Sequence, residues 1–151
     1  MKLEKMFADD FVFLDGAIGT RLQQKVSDMG KIPEILNITR PEIIRSIHKE
    51  YIEAGADIIY TCTFGVNKYK LEGSGYTVAE VMSAAVENAR AACEGTYTRT
   101  ALDIGPIGRL VEPNGNLTFD EAYEIFREQI VSGKGTDLIV IETMLAVRNF
   151  R

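Results

Sequence analysis

The chain has 151 residues, enough for one domain with a real core and too few for a two-domain enzyme of ordinary size. Hydrophobic residues make up 46% and charged residues 26%, which argues against disorder, a collagen-like repeat and a membrane-spanning helix. With 17 basic against 22 acidic residues the net charge is -5, a balance that repels a phosphate backbone and sets nucleic acid aside as a partner.

The opening run MKLEKMFADDFVFLD interrupts its apolar residues with Asp9 and Asp10 and offers no cleavable signal. The sequence therefore reads as cytoplasmic, with no membrane segment. Cys62 and Cys93 are too few for a disulfide framework and are expected as reduced thiols.

Four short apolar runs have the length and composition of strands: Phe11 to Asp15, Asp57 to Thr61, Thr100 to Ile104 and Leu138 to Glu142. Their near-continuous hydrophobicity suits strands covered on both faces, as in a parallel sheet. Helical patterns lie between them. From Pro41 to Ala54, the residues Ile44, Ile47, Tyr51 and Ala54 share a face, with Thr39 as the expected cap and Gly55 as the stop. Thr77 with Glu80 spells a capping box before an Ala-rich stripe through Val81, Ala85 and Ala89. Thr118 with Glu121 repeats that signature before Tyr123, Phe126 and Ile130. The turn-rich stretches at Glu72 to Gly75 and Glu112 to Asn116 read as loops within one domain.

Alternating strands and helices predict an α/β fold with a parallel sheet, either doubly wound or a (β/α)8 barrel. A whole barrel needs roughly 250 residues, so four strands correspond to about its first four βα units. In such folds the chemistry sits at the carboxyl ends of the strands. Those ends carry Asp15, Gly16 and Ala17, then Thr61, Cys62, Thr63, Phe64 and Gly65, then Gly105 and Pro106, then Glu142 and Thr143. Paired carboxylates there can hold a substrate ammonium or divide acid and base roles, or each can merely cap a following turn.

The run DGAIGT lacks both a following Lys-Ser/Thr and the full G-x-G-x-x-G spacing, so it is a weak phosphate cradle. His48, Cys93 and Cys62 fall mid-helix, at a helix end and at a strand end, which does not converge on a metal.

Taken together, FLDGAIGTRLQ, PEILNITRPEIIRSIHKEYIEAGADIIYTCTFGVNKYKL, DIGPIGRL and DLIVIETM resemble the N-terminal half of the homocysteine S-methyltransferase domain, as found at the start of cobalamin-dependent methionine synthase. The resemblance covers nearly the whole chain. It implies a partial (β/α)8 TIM barrel that binds homocysteine, whose thiol is activated on zinc to accept a methyl group from methylcobalamin or another donor and give methionine, with cobalamin and methyltetrahydrofolate as one route of the donor. It also implies that Asp15 and Gly16 lie near the substrate and that Glu142 holds its amino group; Ala17, Thr61 and Thr63, at the same strand ends, are expected to line the same pocket.

The family's zinc ligands are three cysteines in the second half of the barrel, beyond the span of this chain, so no catalytic residue and no metal ligand carries over. Cys62 stands where the family usually has Asn. The segment IVSGKGTDLIV is a few residues short of the family pattern, and MLAVRNFR replaces the expected opening of a fourth helix. The reading is of an N-terminal portion, residues 1–151, truncated, with a second chain or second copy completing the barrel. The alternative is a catalytically inactive half-barrel with weak amino-acid binding.

Overall fold

In the computed structural model, residues 11–144 are described. The opening run through Asp10 and the residues after Met144, which carry most of MLAVRNFR, lie outside them. In chain order the elements are helix α1 (Ile18–Lys25), a 3-10 turn (Pro33–Ile35), the one-turn helix α2 (Leu36–Thr39), α3 (Pro41–Glu53), strand β1 (Ile58–Tyr60), α4 (Val78–Cys93), β2 (Arg99–Ile104), α5 (Phe119–Ser132) and β3 (Leu138–Ile141). The three strands form one parallel sheet in the order β1-β2-β3, with Tyr60 opposite Ala101 and Asp103 opposite Val140.

The expected first strand, Phe11 to Asp15, is reduced to a single parallel bridge between Leu14 and Ile58. It still follows β1, since the Phe13 carbonyl accepts from Asp57 N–H and Asp15 N–H donates to the Ile58 carbonyl at 3.0 Å. The reason it stops short of a ladder is visible at Phe13, whose N–H donates to the Asp57 carboxylate rather than to a backbone carbonyl. Phe11, Phe13 and Leu14 are all largely exposed, so little burial holds the segment flat.

Two expectations about helix ends meet different outcomes. Thr77 and Thr118 each accept from the N–H of the glutamate three residues on, and each glutamate returns the bond, so both capping boxes form. Thr39 does not cap α3. It ends α2 with its hydroxyl on the Ile35 carbonyl, and the cap position belongs to Arg40, whose side chain makes no cap bond. Pro41 starts that helix instead, its missing N–H being one the first turn leaves unpaired anyway. Helices α1 and α2 and the 3-10 turn fill the long stretch between the first segment and α3, which the hydrophobic pattern left blank.

Period-two alternation gives the sheet two different faces. Leu102 and Ile104 of β2 pack with Val81, Met82 and Val86 of α4 and with Phe126 and Ile130 of α5, forming the largest core cluster. Ala101 points the other way, into a smaller cluster with Ile58, Tyr60, Leu138 and Val140. Asp103, two residues on from Ala101, shares this second face. A further cluster seals α1 to α3 through Leu22, Leu36, Ile44 and Ile47, with Cys62 against it.

Candidate functional site

A cleft of about 540 Å³ opens at the carboxyl ends of the strands, lined by residues of the first segment, β1 and its following loop, β2, and the end of β3. Asp15, Gly16, Ala17, Thr61, Thr63 and Glu142 all line it, so these six residues lie around one cleft. Cys62, Phe64 and Thr143 line it as well, whereas Gly105, Gly65 and Pro106 are not among the lining residues.

Asp15 follows the segment beside β1 and accepts from Tyr60 N–H at 3.1 Å. Burial pushes its carboxyl up to about 7, against the pull of the Tyr60 and Asp15 backbone amides, and the charge of Glu142 adds to the rise. Gly16 is the residue that the space demands: a Cβ there would lie 3.0 Å from the Tyr51 hydroxyl, which donates to the Ala17 carbonyl. Ala17 then opens α1 with no side-chain cap, and Ala17, Ile18 and Gly19 at that end of the helix line the cleft.

Thr61 and Thr63 are fully buried, and their hydroxyls are committed within the protein. Thr63 Oγ1 donates to the Asp103 carbonyl at 2.6 Å, the two hydroxyls share a 2.7 Å bond, and Thr61 Oγ1 accepts from Asp103 N–H at 3.1 Å. What this ring of bonds fixes is Asp103. Glu142 is held by its own N–H on the Ile104 carbonyl, and Thr143, at φ 56°, turns the chain sharply just after it.

Sequence reasoning passed over Asp103, Glu34 and Tyr60, all of which line the cleft. For Asp103 there was a signal: one carboxylate inside the apolar run Thr100 to Ile104, on the face opposite Leu102 and Ile104. It is 6% exposed, and its Oδ1 is buried with no hydrogen-bond partner. Burial, then the charges of Glu142, Asp15 and Glu34, push its carboxyl up to about 7. Glu34 gave no signal, because its partner is 31 residues away: its Oε1 accepts from Gly65 N–H at 2.7 Å. Gly65 permits that approach, since a Cβ there would fall 2.5 Å from the same oxygen. Asn37 secures the turn from below, donating to both the Glu34 and Cys62 carbonyls at 2.8 Å.

Among solved structures, the metallated form of the homocysteine methyltransferase MmuM from Escherichia coli superposes with a TM-score of 0.81 at 22% identity, over 94% of this chain and 57% of that one. Its apo form gives a TM-score of 0.63 at 26% identity, over 87% of this chain and 48% of that one. A methionine synthase from Mycobacterium leprae (strain TN) is 43% identical over 72 residues, 44% of this chain and 6% of the synthase. The chain thus spans about half the length of the solved relatives and a small part of the synthase.

The zinc that the resemblance implies does not fit the donors present. Cys62 is buried against the α1 to α3 cluster, and that burial holds its thiol well above the usual range. Cys93 ends α4 beside Arg99 and Asp137, in a groove away from the cleft. His48 is sealed inside the helical layer, its ring nitrogens unpartnered and its pKa lowered by burial to about 4. Among the described residues no three His, Cys, Asp or Glu side chains are grouped to hold a metal ion.

The cleft nonetheless carries the right order of strand-end motifs on the right fold, and the model of the homocysteine S-methyltransferase family matches residues 12–151; the chain belongs to that family.

Proposed function

We propose that this chain supplies the amino-acid-holding part of a homocysteine S-methyltransferase site, in which the homocysteine thiol accepts a methyl group to give methionine. The observation that carries the reading is the polarity of the cleft. Asp15 and Glu142 line the cleft at the carboxyl ends of the strands, and the uncapped start of α1 lies beside them. An α-amino acid presents an ammonium and a carboxylate a few ångströms apart. The carboxylates suit the first by charge-assisted hydrogen bonds, and the open N–H groups of α1 suit the second.

The remaining wall, with Leu22, Ile18 and Phe64, is apolar and suits a short thiol-bearing side chain. Gly16 keeps the backbone close enough for that contact. Activation of the sulfur falls to groups other than residues 11–144, because the donor set described above does not converge.

That same donor set favours a second reading for the chain acting by itself: it binds the amino acid without transferring a methyl group. In the first reading a further chain or a second copy completes the barrel.

Calorimetric titration with L-homocysteine tests the proposal. Binding is expected, with Glu142→Gln weakening it by about tenfold, the loss of one charged hydrogen bond. A chain that takes up no L-homocysteine, or a Glu142→Gln variant that binds it equally well, would refute the reading.

A further inference from the structure

We propose that Asp103 is a direct ligand of the substrate's ammonium group, the third member of a carboxylate trio with Asp15 and Glu142, and that it makes the cleft select a cationic amino-acid head over a deaminated thiol acid. The inference rests on the homocysteine reading above and goes beyond it by giving a role to Asp103, the first residue of DIGPIGRL, to which the resemblance assigned none.

Three observations converge on it. First, Asp103 Oδ1 is buried and unpartnered while the residue lines the cleft. An orphaned carboxylate oxygen in a native interior is costly unless something arrives to satisfy it. Second, the backbone that carries the side chain is fixed: the Thr61 and Thr63 hydroxyls clamp Asp103 on both its N–H and its carbonyl. A residue held at both ends beside a cavity is organised in advance for a ligand, which lowers the ordering cost of binding. Third, the lining contains the four carboxylates Asp15, Glu34, Asp103 and Glu142 and, among the described residues, no Lys, Arg or His. Such a lining suits a cationic ligand.

An ammonium carries three N–H donors, which matches three carboxylates better than two. One oxygen of Glu34 already accepts from Gly65 N–H and one of Asp15 from Tyr60 N–H, whereas the buried Asp103 Oδ1 has no partner, which makes Asp103 the acceptor with most to gain from an arriving ammonium. Pairing with a cation also removes the mutual repulsion of these groups, which in the empty cleft is relieved by keeping protons on them.

The test is calorimetry in a chelator-containing buffer with two ligands, L-homocysteine and 4-sulfanylbutanoic acid, which keeps the thiol and the carboxylate but has no amino group. The unmodified chain is expected to prefer L-homocysteine by about tenfold or more. Asp103→Asn, which keeps the shape, is expected to lose most of that preference while holding its affinity for the thiol acid. A preference that survives in Asp103→Asn overturns the assignment and leaves the homocysteine reading standing. If neither ligand binds, both fall together. A repeat without chelator completes the test: L-homocysteine binding that appears only there would assign the carboxylates to a divalent cation and overturn the proposal as well. Where Asp103→Asn fails to fold, 13C-aspartate labelling of the unmodified chain gives the answer: the Asp103 carboxyl carbon must shift with L-homocysteine and not with the thiol acid, and a carbon that stays put with both overturns the proposal.

Discussion

Asp15 and Asp103 on one side and His48 on the other make stability depend on pH in opposite senses. Each aspartate has its carboxyl raised from 3.8 to about 7 in the folded chain. The folded state therefore keeps protons that the unfolded chain has released, and this contribution, complete below about pH 4, is lost as pH rises through about 7. His48 is lowered from 6.5 to about 4, so its contribution is present above 6.5 and lost as pH falls towards 4. Between these limits the two effects oppose one another, and above 6.5 only the aspartates act. We expect the melting temperature to fall from about pH 6.5 to 8, and Asp103→Asn to shrink the fall. Melting curves across that window decide it; a temperature that climbs instead contradicts the assignment. The residues behind this behaviour were unevenly legible. Asp15 and Glu142 were readable because each ends an apolar run, where strand-end chemistry is sought. Asp103 sits within its run, and only period-two reasoning separates it from Leu102 and Ile104. Glu34 reaches Gly65 through the tertiary fold alone.

At the scale of elements, the capped helices α4 and α5 were readable to within a residue, because a Thr and a Glu three apart announce their own geometry. α1 and α2 were not, since they are short and their helicity comes from packing Leu22 and Leu36 against α3 rather than from pattern. The turn after β2 shows how tightly the elements are fitted. A Cβ on Gly105 would lie 2.4 Å from the Phe64 carbonyl oxygen, which is backbone and cannot swing aside. Gly105→Ala is expected to push the loop after β1 away from the β2 end and to destabilise the chain by about 1–3 kcal/mol, as overpacking does. Urea denaturation measures it, and a midpoint unchanged from the parent would show that the loop relaxes freely.

For the whole molecule, the open ends of the sheet dominate. Phe11 and Phe13 are 78% and 64% exposed at one edge, and Ile139 and Ile141 are 49% and 63% exposed at the other. By register Ile139 and Ile141 lie beside Leu102 and Ile104, on the face that helices cover elsewhere in the sheet. Bare edges and apolar faces invite pairing. We expect light scattering to show association that grows with concentration, and Ile141→Lys to reduce it. A monomer at every concentration would count against a second copy closing the barrel.

The sheet order also repeats the chain order: β1, then β2, then β3, each laid beside its predecessor. No strand has to wait for one made later in order to find its neighbour. As the chain leaves the ribosome at roughly 5–20 residues per second, each new strand and helix can dock on an edge already built. Such a molecule grows by accretion, and the edge that attracts unwanted partners is the same edge on which the next unit is laid.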